Sequence, residues 1–420
     1  MLPTFLSYIT RRGGRSFMRL HMSEGADLPR ALRPQTASLA DGMPSLYVHI
    51  PFCRTLCPYC SFNRYLFHQD TARGYFQQLR RELDMYLAQG YTFSEVYFGG
   101  GTPTVQMDEL LRFIEYLHDR LDVQSISLET NPGDVTPENV AALKDAGVQR
   151  YSIGVQSFDQ EMLKKMGRVS MHGNRLMERI AQARGAFDTV NIDLIFNLPF
   201  QSIESFRKDV DAFKSLDLEQ VTFYPLMPSP GTASALERRF NRVDNSRERR
   251  FYDIILEEMR AAGYSASTTW CFSKGQRIID EYIIEHDDYV GIGSGAVSFL
   301  NGHFYVNSFA LDRYAEHIEA DRFPVVGWRR LSDQEAMQYY MLTKLFGTRL
   351  RKDAFQARFG GDIERRLWKE IAFLKLAGAV RNVDGALTLT DRGMFYVSGM
   401  MREFFSALNG LRERCRRERL

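Results

Sequence analysis

The sequence predicts an α/β protein: a partial (β/α)6 TIM-like barrel followed by a small α+β, winged-helix-like C-terminal domain. Three observations lead there. From Leu46 onward, short β-rich runs alternate with helix-length amphipathic segments, the pattern of parallel strands joined by helical crossovers. The residues just after the strand runs are glycine-rich or polar, which is where a barrel of this kind places its ligands. A Pro/Gly-rich break over Pro225–Gly231 then ends the alternation.

Residues 1–44 read as an N-terminal extension. Up to His21 it carries Arg11, Arg12, Arg15 and Arg19 and no acid, which suits an organelle presequence or a surface-binding helix, or else a loose extension or a start placed too early with Met22 the real beginning. The barrel and its extension span residues 45–310. Strands are expected at Leu46–Ile50, Glu95–Phe98, Ser125–Glu129, Arg150–Ile153, Val190–Ile195 and Gln220–Tyr224. Between them, Ala72–Gln89 carries Tyr75, Leu79, Leu83 and Leu87 at helical steps, and Met107–Arg120 carries Leu110, Leu111, Ile114 and Leu117. After the break come a charged helical stretch to Gly263 and the segment Gly291–Ala296, read as a cap or extension on the barrel. Residues 331–420, the C-terminal domain, read as helices with a short β pair around Gly378–Thr390.

With 420 residues, 44% hydrophobic, 25% charged and a net charge of +2, the chain has a globular composition and not a disordered one. No apolar stretch approaches the ~20 residues of a membrane helix. The small net charge gives no argument for nucleic acid, and the arginine-dense runs Arg238–Arg250 and Arg412–Arg419 read mainly as solvated helix faces, with an anion-binding role as the alternative. Five cysteines do not make a disulfide scaffold. Three of them crowd together while Cys271 and Cys415 stand apart, which points to a metal in a reducing, cytoplasmic setting. Cys271, between Trp270 and Phe272, reads as a buried apolar residue.

Cys53, Cys57 and Cys60 follow the spacing Cys-x3-Cys-x2-Cys on one short loop. Such a loop can bind three irons of a 4Fe-4S cubane and leave the fourth without a protein ligand. S-adenosyl-L-methionine (SAM) can chelate that iron through its amino and carboxylate groups, so that one electron breaks its S–C5′ bond. The alternative is a zinc site completed by His49 or His68. A glycine-rich loop and acidic strand ends around a barrel mouth suit SAM and are not needed by zinc.

The cysteine spacing, Tyr59 before the third cysteine and Gly99-Gly-Gly-Thr-Pro103 resemble the radical SAM superfamily. A closer resemblance is to the oxygen-independent coproporphyrinogen III oxidase family, which includes a haem chaperone subgroup. It rests on Tyr47-Val-His-Ile-Pro-Phe-Cys53, Glu129-Thr-Asn-Pro-Gly133, Ser152-Ile-Gly-Val-Gln-Ser-Phe158, Gly167-Arg168, Asp193-Leu-Ile195 and Leu198-Pro199 taken together. It covers residues 45–310 well and the C-terminal part loosely.

The resemblance implies a 4Fe-4S cluster held by Cys53, Cys57 and Cys60, one SAM or two, and a 5′-deoxyadenosyl radical that modifies a tetrapyrrole or another carboxylated substrate. Oxidative decarboxylation of propionates is the family's reaction, and a flavodoxin- or ferredoxin-type protein its electron donor. Tyr59 would lie beside the adenine. Gly99, Gly100 and Gly101 would let the backbone approach the methionine amino group, with Thr102 in the same motif. Glu129 would bind the amino or ribose end of SAM, Gln156 and Arg168 its ribose and carboxylate, and Asp193 the ribose hydroxyls. A second SAM would sit by Gly291–Ala296. Plainer readings stand beside these: Glu129 and Asp193 as barrel carboxylates paired with Arg168 or Arg150, Tyr47 as either core or cavity residue, and His49 as a hydrogen-bonded structural histidine.

The family pattern breaks in two places. The oxidases carry a further cysteine two residues after the third ligand, where this chain has Phe62. The chaperones carry a His-Asn and Tyr-Trp signature where this chain has Ile279-Asp-Glu-Tyr-Ile283. Two other functions therefore stay open, a haem-binding carrier that keeps the cluster, and a methyltransferase or cyclopropanase using two SAM molecules.

Overall fold

The computed structural model describes residues 20–22, 43–168, 174–240, 244–275 and 282–420. Most of the arginine-rich N-terminal extension, and residues 279–281 of the Ile279–Ile283 segment, lie outside these. All six expected strands are present and parallel in chain order: β1 (Ser45–Ile50), β2 (Glu95–Gly100), β3 (Ser125–Thr130), β4 (Arg150–Gln156), β5 (Thr189–Phe196) and β6 (Gln220–Pro225).

Side chains alternate across a strand, and here the two faces have different chemistry. Leu46, Val48, Ile50, Val96, Phe98, Ile126, Leu128, Tyr151, Ile153, Val190 and Ile192 are buried in one hydrophobic core. The helices Gln69–Leu87, Met107–His118 and Ile203–Leu216 pack on this side, presenting Tyr75, Phe76, Leu79, Phe113, Phe206 and Phe213 to it. The alternate residues, Tyr47, His49, Tyr97, Glu129, Ser152, Asn191, Asp193 and Thr222, form the polar inner face. They bond one another across strands: Thr222 Oγ1 donates to Asn191 Oδ1 (3.1 Å), and Asn191 Nδ2 to Ser152 Oγ (2.8 Å).

The segment read as a cap or extension has its expected helices, Pro230–Phe240 and Glu248–Ala261, and beyond them it extends the sheet. β7 (Cys271–Ser273) runs antiparallel on β6, and β8 (Tyr289–Ile292) runs parallel on β1. β9 (Val297–Leu300), β10 (His303–Asn307) and β11 (Val325–Arg330) then follow antiparallel. The sheet order is β11-β10-β9-β8-β1-β2-β3-β4-β5-β6-β7, with the two-residue strands His21–Met22 and Ser265–Ala266 at its ends. β8 to β10 are short and buried on both faces, so they lack the apolar–polar alternation that marks a half-buried strand.

The C-terminal part holds the helices Asp333–Phe346, Lys352–Phe359, Ile363–Arg366 and Trp368–Leu376. With them goes an antiparallel sheet of β12 (Arg349–Arg351), β13 (Val380–Val383) and β14 (Ala386–Leu389), in the order β12-β14-β13. A 28-residue helix, Asp391–Glu418, then returns to the barrel, anchored by Trp270 Nε1 donating to Ser398 Oγ at 2.8 Å and by Arg402 between Glu248 and Glu403. Among the described residues, no helix is long and apolar enough to cross a membrane.

Candidate active site

β1 runs through Pro51 into the cysteine loop, which a short parallel pairing of Phe52–Cys53 with Tyr65–Leu66 closes. Cys53 is buried, and Cys57 and Cys60 are half-buried. Arg64 Nη2 donates to both Cys57 O (2.5 Å) and Cys60 O (2.8 Å), and Thr102 Oγ1 lies 3.6 Å from Cys53 Sγ. Burial pushes the Cys53 thiol up to about 11 and raises Cys60 as well. Buried thiols of this kind ionise when a bound metal supplies the compensating charge. Arg64 Nε and Nη1 are buried without a partner among the described residues, as donors beside an anionic group would be. On donor chemistry and on these orphaned N–H groups, the loop fits an iron–sulfur cluster.

The zinc alternative loses its His49 ligand. His49 Nε2 is 2.9 Å from Asn63 O, a carbonyl to which it must donate, so Nδ1 accepts from Tyr47 OH at 2.9 Å. Burial holds its pKa down to about 4, so the ring is neutral and both nitrogens are engaged. This is the structural histidine expected.

One cavity gathers most of the predicted residues: Tyr47, Cys53, Cys57, Tyr59, Cys60, Gly100, Gly101, Glu129, Gln156, Arg168 and Asp193 all line it. Gly99 and Thr102 stand behind its wall, Gly99 against the Glu129 carboxylate and Thr102 beneath Cys53. The glycines also meet a packing demand that the sequence reading did not include. Gly100 has φ +115° and a Cβ there would lie 2.6 Å from the His49 ring, while one on Gly101 would lie 2.7 Å from Phe52 O.

Glu129 is fixed by Tyr97 OH donating to Oε1 (2.9 Å) and Gly100 N donating to Oε2 (3.1 Å). Asp193 accepts from Asn191 Nδ2 (2.8 Å) and Ser152 Oγ (3.2 Å). The two arginines of the barrel make further bonds of their own. Arg168 donates to Asn131 Oδ1 (2.8 Å), Gly154 O (2.5 Å) and Tyr59 OH (3.2 Å), and Arg150 to Gln220 Oε1 (2.8 Å). Gln156 ends β4 beyond a bulge and has φ +73°, a strained setting for a side chain with a Cβ and one that clusters at functional sites.

The rest of the cavity wall was not foreseen. Tyr224, Trp270, Phe304, Phe404, Phe405, Leu408 and Arg412 line it, four of them from the C-terminal helix. Arg412 is 8% exposed and not part of a solvated face, because the helix turns that side onto the barrel mouth. Arg416 and Arg417 are exposed as expected. Asn131, between Thr102 and Arg168, was visible in the sequence only as a member of the Glu129-Thr-Asn-Pro motif.

Parallel strands ending in a three-cysteine loop, a glycine turn and fixed carboxylates around one cavity define a radical SAM protein, and residues 47–213 match the radical SAM superfamily. The heme chaperone HemW of Escherichia coli (strain K12) is 32% identical over 280 residues, 61% of this chain and 71% of that one. The chain belongs to the family of oxygen-independent coproporphyrinogen III oxidases and haem chaperones within that superfamily. The anaerobilin synthase of Escherichia coli O157:H7 is 29% identical over 386 residues, 87% of this chain and 85% of the other. Among solved structures, the radical SAM enzyme coproporphyrinogen III oxidase (HemN) from Escherichia coli shares the fold. Its TM-score is 0.77 at 20% identity, over 92% of this chain and 95% of that one. Membership of the superfamily implies a 4Fe-4S cluster and SAM.

Proposed function

We propose that this chain is a radical SAM enzyme that generates a 5′-deoxyadenosyl radical to modify a tetrapyrrole, by oxidative decarboxylation of propionates or a related radical reaction. The supporting observation is the continuity of one cavity, from the three cysteines past Glu129 and Asp193 to a wall of aromatic side chains. When bound, a 4Fe-4S cluster with SAM on its open iron supplies one-electron cleavage of the sulfonium. Cys53, Cys57 and Cys60 would hold the cluster, and Arg64 and Thr102 steady that loop.

Glu129, already oriented by Tyr97 and Gly100, takes the cationic amino or ribose end of SAM. Asp193 accepts from the ribose hydroxyls, Gln156 and Arg168 reach ribose and carboxylate, and Tyr59 covers the adenine. Tyr47 sits with the reaction cavity, with its hydroxyl donated to His49. The aromatic wall packs a flat substrate and excludes water from the radical's path.

A carrier reading has one observation in its favour, the similarity to a haem chaperone. An anaerobic assay separates the two. Cluster-loaded protein, SAM, a low-potential reductant and either coproporphyrinogen III or haem should yield 5′-deoxyadenosine, faster with the matched tetrapyrrole, whose mass changes. Stoichiometric haem binding and transfer with no SAM cleavage under any of these conditions would replace the enzyme with the carrier.

A further inference from the structure

We propose that Arg412 forms a carboxylate-binding subsite in the cavity, where an acidic side chain of the substrate is held; this rests on the tetrapyrrole reading and deepens it. The C-terminal helix is locked across the segment after β6, with Asn409 Nδ2 donating to Met227 O (2.6 Å) and Gly231 N donating to Glu413 Oε2 (2.8 Å). That docking turns Arg412 inward, to the cavity wall.

An aromatic ring and an amide brace the guanidinium. Its carbon lies 5.1 Å from the centre of the Phe62 ring, and Nη1 donates to Asn409 Oδ1 at 2.9 Å. Guanidinium does not give up its proton in a protein, so its charge persists in the cavity. That charge adds to burial in depressing the pKa of His49.

The cavity is therefore divided by chemistry. Glu129 and Asp193 lie at the strand ends, suited to the cationic and hydroxyl groups of SAM. Arg412 lies among aromatic side chains, suited to a flat apolar body carrying acidic arms. Of the other arginines of the wall, Arg64 is tied to the cysteine loop, and Arg168, held by Asn131 and Gly154, lies on the side assigned to SAM. Arg412 alone of the three comes from the C-terminal helix. Phe62, the residue standing where the oxidases carry a further cysteine, is the ring it rests on.

The test is an anaerobic absorbance titration of the cluster-loaded full chain with coproporphyrin III, a tetracarboxylic porphyrin, and with its tetramethyl ester. The acid should bind at least about tenfold more tightly than the ester, the worth of one charge-assisted contact. Arg412→Gln should remove most of that preference, and Arg412→Lys should keep part of it, with iron content and SAM affinity unchanged in both. Equal binding of acid and ester by the unaltered chain, or an unchanged preference in Arg412→Gln, overturns the subsite while leaving the tetrapyrrole reading in place. Loss of SAM affinity in Arg412→Gln assigns the arginine to SAM and overturns it also. No binding of either porphyrin removes the tetrapyrrole reading and the subsite together.

Discussion

Around the three thiols, the proposed ligands, the side chains that brace them and the two remaining cysteines carry different expectations. Anaerobically reconstituted protein should bind about four irons, and Cys53→Ala, Cys57→Ala or Cys60→Ala should each remove most of them. Cys271→Ala and Cys415→Ala should keep the iron at a cost of about 1 kcal/mol of packing, since both thiols are buried away from the loop. Iron analysis with denaturant melts distinguishes the two groups, and zinc without sulfide in careful preparations would sink the cluster. The cysteines, Glu129 and Asp193 were legible in the sequence because each sits in a short contiguous motif at a strand end. Asn131 was carried along in the Glu129 motif without a role, and Arg64 and Arg412 were not singled out. A lone arginine has no spacing to mark it, and its meaning comes from what the fold brings against it.

At the scale of elements, β1 carries two functions on its two faces. Leu46, Val48 and Ile50 enter the core, while Tyr47 and His49 tie the strand to Asn63 behind the cysteine loop. This tie is acid-sensitive. Free histidine titrates near 6.5, whereas buried His49 titrates at about 4, so between these values the unfolded chain binds a proton that the folded chain refuses. Stability from this group is full above 6.5 and falls as the pH drops towards 4, by up to about 3 kcal/mol. Thermal melts at pH 7 and pH 4.5 should show a larger acid loss for the unaltered chain than for His49→Gln. Equal losses would place the acid sensitivity elsewhere. The six parallel strands were readable from their alternation with helices, but β8 to β10 were hidden by burial on both faces. One local signal did exist: Asn301-Gly302, both at positive φ, is the two-residue turn of the β9–β10 hairpin.

For the molecule as a whole, the added strands decide how much room the barrel mouth leaves for cofactors. β8 seals the sheet beside β1, and the turn that follows it, read from sequence as shaping a second SAM site, is packed into the protein. Gly293 N donates to Glu82 Oε2 (2.7 Å), Ser294 N donates to Tyr75 OH (2.7 Å), and a Cβ on Gly293 would lie 2.6 Å from His49 O. Asn307 Nδ2 and Tyr314 OH also donate to Glu82, binding the turn to the helix Gln69–Leu87. Of these glycines, Gly295 reaches the cavity, and a Cβ there would press on Asn63. Glycine at these positions thus has a packing reason that calls for no ligand. The opposite wall is closed by the C-terminal helix, whose aromatic residues and Arg412 suit substrate better than a second nucleoside. Equilibrium dialysis of the cluster-loaded chain should therefore find one SAM per chain. Turnover should give 5′-deoxyadenosine and methionine in equal amounts, with carbon dioxide if propionates are oxidised. Two equivalents of bound SAM, or S-adenosylhomocysteine among the products, would show that the mouth opens further than its packing suggests and would favour methyl transfer.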